Sequence, residues 1–269
     1  MKKTFTLLLA LTLASAAFAE RKWGIEAGYD HNWLISKTSY RATSLDGETI
    51  KDKQDLKASI SLDGFHAGAT FTYSFDEVEG LTVGGGIQYQ FARGNVQKGQ
   101  VRALIFDLTS STEQIETELE KCTKLSYTMH SLQIPLRIGY EYTFDNDLGL
   151  FAYAGPILNF ALDWYLRGET ADGTTATLHQ ISGVFVGKNG DNYTTKRDND
   201  YRHYNIFDLG LGAAVGVSYK WVYFSAGCDV GLLNICSHPS YTLNLLNTRY
   251  DIDNSARNIQ LKLALGFRF

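Results

Sequence analysis

The chain has 269 residues and is rich in tyrosine (16), phenylalanine (15) and glycine (25), with only three prolines. Its 29 acidic and 25 basic residues give a formal net charge of −4. This balance argues against a nucleic-acid partner, which would require a basic stripe. Beyond the N-terminal segment, no apolar run is long enough for a membrane-spanning helix, and about 250 residues can form one all-β domain.

The sequence begins with the features of a secretory signal peptide. Two lysines precede an apolar stretch over residues 5–13, and the small-x-small motif "AFA" occupies residues 17–19. The apolar stretch is far shorter than the ~20 residues that a membrane anchor requires. We therefore expect residues 1–19 to be removed and residues 20–269 to form the exported domain.

The rest of the chain alternates apolar and polar residues with a period of two, which indicates β-strands. In the last stretch, "IQLKLALGFRF", Leu261, Leu263 and Leu265 share one face. Such stretches predict strands near residues 23–33, 65–75, 81–91, 125–144, 149–165, 207–221, 222–232 and 259–269. Short connections at residues 76–80, 145–148 and near Lys220 alternate with long ones near 35–61, 94–124, 166–205 and 235–256.

This order of strands and connections is typical of an outer-membrane barrel. We predict an all-β fold, an eight-stranded antiparallel up-and-down transmembrane β-barrel, with both termini on the periplasmic side. Four long extracellular loops would be irregular and polar, with a short helix at residues 113–121. A soluble barrel of lipocalin type is the alternative, but a polar face dominated by glycine and threonine suits a crowded lumen better than a wet exterior.

The apolar face is expected to contact outer-membrane lipids. Trp23 and Trp33 are ten residues apart, about 33 Å along a strand and about 25 Å in height at a tilt of about 40°, the height of an apolar band between aromatic girdles. Phe269 would lie in the lower girdle on the closing strand. Because outer-membrane barrels commonly end this way, we predict that Phe269 is an assembly signal read by the barrel assembly machinery.

Charged residues also occur on the inward face of the predicted strands. They are Glu26, Asp30, Glu141, Asp208 and Asp229 as acids and Arg137, Lys262 and Arg268 as bases. Eight strands enclose a lumen that side chains can fill, and unpaired charges in a low dielectric would be costly. We therefore predict a salt-bridged network that plugs the lumen, with a proton or ion path as the alternative.

The fourth and fifth strands contain prolines, which remove hydrogen bonds from a sheet. If their turn centres on Asn146, Pro135 falls near Ile157 and Pro156 falls near Leu136. The same register predicts that the inward ring of the tyrosine in "FAYAG" covers the glycine in "RIGYE".

Four strings follow one another in the second half of the chain: "SLQIPLRIGYEYTF", "GLFAYAGPILNF", "FDLGLGAAVGVSYKW" and "DVGLLNI". They resemble the PorT-like outer-membrane β-barrel family of Bacteroidetes, which has an Ile-Pro-Leu strand, an Ala-Gly-Pro hairpin partner and a Gly-Leu-x-Asn-Ile strand end. The resemblance implies an eight-stranded outer-membrane barrel of the kind often labelled "porin family". One namesake member serves a protein-secretion system.

An outer-membrane enzyme that modifies lipids or cleaves proteins is a second class to consider. Apolar residues occupy odd positions up to Met129 and even positions from Leu132, which predicts a bulge at His130 and Ser131. Without a bulge, these two neighbours face opposite sides of the strand. No third member of a catalytic set accompanies them, so we predict no catalytic residues.

Metal and cofactor sites are not predicted. Acidic residues cluster at positions 145–147, 198–200 and 251–253, where they suit solvated turns, and no complete calcium-loop pattern is present. The six histidines lack zinc-type spacing.

The three cysteines differ in their expected surroundings. Cys122 and Cys236 both fall near the extracellular rim, where a disulfide could join them if the loops fold over the mouth. Cys228 falls on the lipid face, where a thiol behaves as a small apolar group.

The function that best fits a plugged lumen and large loops is a surface or scaffold role in the cell outer membrane of a Gram-negative bacterium. Its expected partners are outer-membrane lipids and surface or secretion-system proteins. A narrow diffusion channel is the alternative, followed by a lipid-modifying enzyme.

Overall fold

The computed structural model describes residues 20–44, 47–75, 78–105, 119–182, 184–186, 192–194, 204–237, 239–245 and 248–269. The expected signal peptide, residues 1–19, lies outside the described residues. The same holds for most of the helix predicted at residues 113–121.

Eight long strands in the described part of the chain form the barrel wall. They are β1 (Glu20–Ser44), β2 (Thr49–Ser74), β3 (Leu81–Asn95), β4 (Lys124–Thr143), β5 (Leu148–Glu169), β9 (Phe207–Tyr219), β10 (Val222–Gly231) and β12 (Thr248–Arg268). Between them lie the helix α1 (Lys98–Ile105) and the shorter strands β6 (Thr175–His179), β7 (Val184–Val186), β8 (Asn192–Thr194) and β11 (Ser240–Leu245).

Each wall strand pairs antiparallel with its two neighbours, and β12 pairs with β1 to close the ring. The closing ladder runs from Gly24 opposite Arg268 to Ser44 opposite Thr248. Just beyond it, Trp23 and Phe269 exchange backbone hydrogen bonds of 2.9 and 2.8 Å. The prediction of an all-β, eight-stranded antiparallel barrel is confirmed.

The two ends of the barrel differ, and we name them the turn end and the loop end. The turn end carries the start of β1, the end of β12 and short connections at residues 75–80, 144–147 and 220–221. Asp147 and Lys220 adopt positive φ angles of 62° and 54° in two of these turns, as tight turns require. The loop end carries the longer segments between β3 and β4, β5 and β9, and β10 and β12, whereas β1 and β2 extend there to a short connection at residues 45–48.

The two faces of the wall differ in the way that the period of two predicts. On β1 the outward side chain of Ile25 is 53% exposed, whereas the inward Glu26 next to it is 4% exposed. Glycines on the inward face make room for large rings, because a Cβ on Gly266 would lie 2.2 Å from the ring of Tyr223. Exposed aromatic side chains ring the turn end: Trp23, Tyr140, Tyr142, Phe144, Tyr219, Trp221 and Phe269.

The register of β4 against β5 agrees with the prediction from the sequence. Pro135 lies opposite Ile157, and Tyr153 lies opposite Gly139. The pairing is interrupted between Pro135 and Ile138, as expected where prolines remove ladder hydrogen bonds.

A bulge at His130 and Ser131 is also present, but the extra residue belongs to β5. Ser131 pairs with Ala161 and His130 with Asp163, which leaves Leu162 unpaired and 53% exposed. The buried side of β5 therefore changes from odd positions to even ones at this point. On β4, by contrast, odd positions stay buried on both sides of the bulge, so the period slip predicted for β4 was wrong.

The slip on β4 was predicted because odd apolar residues there were assigned to the lipid face. Leu125, Tyr127 and Met129 are instead buried on the inner side, each at most 5% exposed. The inner face thus changes along the strand from polar at the turn end to apolar at the loop end. In a sequence, a strand whose inner face changes from polar to apolar looks the same as a strand whose apolar residues move to the other face.

Two of the four long connections, near residues 35–61 and 235–256, are not irregular, polar loops in their described parts. β1 and β2 continue as a paired hairpin up to Ser44 and Thr49, and β12 extends beyond the barrel in the same way to pair with β11. Tertiary pairing overrides the weak strand signal of these polar segments. Helix α1 has eight residues, and none of the described helices has both the length and the apolar character to cross a membrane.

Candidate functional site

The lumen begins at the turn end with an ion pair between Arg268 and Glu141. Nη1 of Arg268 donates hydrogen bonds of 3.1 and 2.9 Å to Oε1 and Oε2 of Glu141. The hydroxyl of Ser218 donates to the same carboxylate at 3.1 Å. The guanidinium lies 4.4 Å from the ring centroid of Tyr223 and 4.8 Å from that of Phe151. Charge pairing and stacking on both rings hold Arg268 across the lumen.

Glu26 is the centre of the next layer, and its side chain is only 1% exposed. Nη2 of Arg137 donates to its Oε1 at 3.0 Å, and the hydroxyl of Tyr223 donates to its Oε2 at 2.6 Å. Nε2 of Gln88 donates to Oε1 as well. Both carboxylate oxygens are therefore satisfied, which a buried charge requires. Arg137 also stacks 4.4 Å from the ring centroid of Tyr153.

Lys262 lies between the charged layers and the amides above them. Its Nζ is 2.6 Å from Oδ2 of Asp229 and donates to Oε1 of Gln133 at 2.6 Å. Three of the acids predicted for the lumen, Glu26, Glu141 and Asp229, thus each lie beside a base in the described structure.

The other two predicted acids have different surroundings. Asp30 is fully buried, and its Oδ1 lies 2.7 Å from Nδ1 of His66, a residue that the sequence analysis did not assign to the network. Asp208 forms no ion pair with any described residue, so its place in a salt-bridged network stays a prediction. Its Oδ1 accepts a hydrogen bond from the Leu233 amide at 3.4 Å, and its nearest inward neighbour on β10 is Gly231, which has no side chain to offer.

Uncharged amides fill the lumen beyond the charged layers. Nε2 of Gln133 donates to Oε1 of Gln90 at 3.0 Å and to Oε1 of Gln260 at 3.1 Å. Nε2 of Gln90 donates in turn to Oδ1 of Asn32 at 3.0 Å. The sequence search considered charges alone, although the alternation in "GIQYQF" already places Gln90 on the inward face.

The space left beside the inner charged and amide layers is small, whereas a cavity of about 270 Å³ lies at the turn end beside Glu141 and Arg268. A cavity of about 30 Å³ lies beside Glu26, Arg137 and Lys262, and another of about 20 Å³ lies beside Asp208 and Gln260. Each holds about one or two water molecules. Neither is large enough for a passing solute.

A hydrophobic cluster, which we name the cap, fills the barrel at the loop end. It consists of Leu34, Ala58, Ile60, Leu62, Ala92, Val96, Val101, Leu104, Leu119, Cys122, Leu125, Tyr127, Met129, Ala161, Trp164, Leu166, Ala176, Leu178, Tyr204, Ile235, Cys236 and Ala256. These residues come from the wall strands, from α1 and from the connections. The cap therefore joins the long connections to the barrel interior.

Specific hydrogen bonds hold the cap in place. Nε1 of Trp164 donates to the hydroxyl of Ser131 at 3.1 Å. The hydroxyl of Tyr127 donates to Oε1 of Gln180, whose Nε2 donates to the backbone oxygen of Leu104 at 2.8 Å. Through Gln180, these two hydrogen bonds connect α1 to β4. Buried polar atoms are thus paired within an apolar cluster, as a stable core requires.

The disulfide considered for Cys122 and Cys236 is not formed in the structure, where both residues are free cysteines. They pack in different parts of the cap. Cys122 lies against Gly168, where a Cβ would be 2.4 Å from its Sγ, whereas Cys236 forms a backbone bridge with Tyr204. Burial raises the pKa of the Cys236 thiol to about 12, so it stays protonated at neutral pH.

The residues considered for catalysis are not brought together. Nδ1 of His130 lies 2.6 Å from the hydroxyl of Tyr89 on the outward face. Ser131 is 1% exposed on the inner side, where it accepts the hydrogen bond from Trp164. The bulge does not turn the two side chains to the same face, because the extra residue lies on β5.

The acidic clusters also do not form a metal site in the described structure. Asp251 accepts hydrogen bonds from Thr242 and Arg249 at 2.9 and 3.0 Å, and residues 198–200 lie outside the described residues. Within the described ranges, no group of three or more histidine, cysteine, aspartate or glutamate side chains could hold a metal ion.

A closed barrel with a filled lumen and an outward apolar band suits a bilayer. Residues 22–237 match the family model of the outer membrane protein beta-barrel domain. The chain belongs to this family. The protein is therefore an outer-membrane barrel.

Among solved structures, the chain is similar to OprG from Pseudomonas aeruginosa, with 13% identity, a TM-score of 0.40 and coverage of 93% of this chain and 97% of that one. It is similar to neisserial surface protein A, with 11% identity, a TM-score of 0.33 and coverage of 89% of this chain and 97% of that one. It is also similar to Ail of Yersinia pestis, with 10% identity, a TM-score of 0.31 and coverage of 93% of this chain and 99% of that one. No curated protein matches the chain. Likenesses this distant carry no argument about function.

Proposed function

We propose that the protein is a non-enzymatic outer-membrane barrel with a plugged lumen, and that it acts as a surface or scaffold protein through its extracellular part. The cap is the observation that carries this proposal. It fills the extracellular mouth, and paired charges and amides fill the lumen beneath it.

Opening the mouth would be costly. The cap includes Trp164, Tyr127, Leu104, Ile60 and Met129, each at most 1% exposed. Exposing a large apolar side chain costs about 1.5–3 kcal/mol, so uncovering these five would cost on the order of 10 kcal/mol. An open state with that cost is too rare to support diffusion of solutes.

The extracellular part offers a protein-sized surface above the membrane. β1 continues nine residues beyond Ile35, to Ser44, about 30 Å along the strand and about 23 Å in height. It pairs there with β2 on one side and with β12 on the other, and β11 extends the sheet. Such rigid projections suit contact with another envelope or surface protein.

The motifs in β4, β5, β9 and β10 favour the PorT-like, Bacteroidetes-type members of the wider family. We do not extend the secretion role of the namesake to this protein, because the residues of a barrel wall do not encode a partner. The role of Phe269 as an assembly signal stays a prediction. This prediction agrees with the backbone hydrogen bonds between Trp23 and Phe269, which lie where the first and last strands close the ring.

Photo-crosslinking in intact cells tests the surface role. The photoreactive amino acid p-benzoylphenylalanine would replace Ile50, which is 58% exposed near the hairpin tip. The matched control replaces Ile87, which is 57% exposed on the lipid-facing side of β3. We expect discrete protein adducts from position 50 and none from position 87.

The proposal would be contradicted if position 50 gave no protein adduct while the variant reached the surface at the normal level. Equal adducts from both positions would also contradict it, because they would mean that contact does not depend on the extracellular hairpin.

A further inference from the structure

Three basic side chains point outward on neighbouring strands and line one surface cleft. Arg93 of β3, Lys124 of β4 and Arg167 of β5 are all exposed. With Ser126 and Asn95 between them, they border a cleft of about 420 Å³. We name it the basic cleft. Its strands are held in register, since Asn95 pairs with Ser126 and Ser126 pairs with Arg167.

The basic cleft keeps a net positive charge within the described residues, because its three bases are accompanied by one acid, Glu169, which lies opposite Lys124 in the β4–β5 ladder. Arg93 donates a hydrogen bond of 3.2 Å to the hydroxyl of Ser126, and no carboxylate of the described chain lies within ion-pair distance of Arg93, Lys124 or Arg167. Asp63, opposite Arg93 on β2, is instead held by His31 at 2.7 Å and by Tyr29.

Two basic residues elsewhere on the hairpins at the loop end have acidic partners. Lys37 lies 3.0 Å from Asp55, and Arg249 lies 3.0 Å from Asp251. The three bases of the basic cleft differ from these two in lacking such an ion pair within the described residues. A net positive site of this kind favours an anionic ligand.

The height of the cleft on the wall indicates where that ligand comes from. Two residues below Arg93 and Arg167 on their strands are the rings of Phe91 and Tyr165, about 6.6 Å away along each strand. The ring of His130 lies between them, 5.1 Å from Phe91 and 6.1 Å from Tyr165. Aromatic girdles of this kind mark the boundary between apolar and polar membrane layers.

Apolar wall continues below the girdle. Ile87, Tyr89 and Leu162 are 57%, 38% and 53% exposed there, where acyl chains would lie. Phe91, where the girdle begins on β3, is ten residues beyond Leu81 at the start of that strand. This separation corresponds to a height of about 25 Å, which is the thickness of the apolar band. The basic cleft is therefore at the level of the headgroups of the outer leaflet.

We propose that the basic cleft binds the phosphorylated headgroup of an outer-leaflet glycolipid. Arginine presents a planar fork that binds phosphate oxygens in pairs, and lysine adds a point charge. The acyl chains of the same molecule would cover the apolar wall below the girdle. This inference rests on the membrane position of the barrel and is independent of the scaffold role.

Binding of diphosphoryl lipid A to the refolded protein in detergent micelles tests the proposal. The variant R93Q/K124Q/R167Q removes the three charges, and K51Q/K57Q/R249Q makes the same change in charge on the extracellular hairpins. We expect the first variant to raise the apparent Kd roughly tenfold or more, and the control to change it by less than about twofold. Heat-dependent migration in gels shows that each variant is folded.

Three further probes separate the sources of the anion. The probes are phosphatidylglycerol, inorganic phosphate and a lipid A that carries no phosphate groups. For each of them, the apparent Kd should be the same for the triple variant as for the unchanged protein. The assignment to a glycolipid would be overturned if the triple variant lost as much affinity for phosphatidylglycerol as for lipid A. It would also be overturned if inorganic phosphate displaced lipid A at a concentration similar to that of lipid A. Unchanged binding of lipid A to the triple variant, or to R93Q and R167Q measured singly if the triple variant does not fold, would overturn the site itself.

Discussion

At the scale of single residues, Glu26 is the best test of the lumen. It accepts hydrogen bonds from Arg137, Tyr223 and Gln88, and its side chain is 1% exposed. Glu26→Ala would leave the Arg137 guanidinium buried without its counter-charge. We expect the free energy of unfolding in micelles, measured by urea titration, to fall by about 3–5 kcal/mol.

The double variant E26L/R137M is the matched control for this prediction. Replacing a buried ion pair by apolar residues of similar volume is often nearly neutral, so the double variant should lose much less stability than Glu26→Ala. If both lost the same amount, the charge of Arg137 would not depend on Glu26, and the described pair would be contradicted.

The inward position of each charged residue was predicted better than the residue with which it pairs. The period of two assigned Glu26, Arg137 and Lys262 to the inner face, because facing depends only on position along a strand. The partner of a buried charge depends on the height at which other strands bring their side chains, and a sequence does not give that height. For this reason the sequence did not reveal that Asp30 contacts His66, or that Asp208 lies beside Gly231, which has no side chain.

At the scale of strands and the cap, the bulge on β5 determines which side chains enter the cap. Trp164 is 1% exposed inside, while Leu162, two positions earlier, is 53% exposed outside. Trp164→Ala should lower the free energy of unfolding by about 3–5 kcal/mol, because it leaves a cavity and frees the hydroxyl of Ser131. Urea titration in micelles measures this loss.

Leu162→Ala is the control within the same bulge. Because its side chain faces outward, we expect a loss of less than about 1 kcal/mol. A larger loss for Leu162→Ala than for Trp164→Ala would mean that the bulge turns the opposite side chains inward.

The sequence gives strand positions more reliably than the faces of strand ends. The alternation, the short turns and the Pro135–Ile157 register were all predicted from local pattern. The inner face becomes apolar near Tyr127 and Met129, and this change could not be distinguished from outward exposure without knowing that the mouth is filled. The cap itself could not be predicted, because its members come from distant segments that only the closed ring brings together.

At the scale of the whole molecule, lumen and cap together make a closed barrel. Ion pairs occupy the half at the turn end, amides lie above them, and the cap fills the mouth at the loop end. Apart from the cavity at the turn end beside Glu141 and Arg268, the described cavities of the lumen hold only a few water molecules. The proposed functions accordingly use the outer surfaces, namely the hairpins at the loop end and the lipid-facing wall.

Single-channel conductance of the refolded protein in a planar bilayer tests this central claim most directly. The same preparation should show the heat-dependent gel migration of a folded barrel, so that silence is not mistaken for failed folding. We predict no reproducible conductance steps across the voltage range that the bilayer tolerates. Regular steps whose size changes when Arg137 is replaced would show a water-filled path through the lumen and would contradict the account.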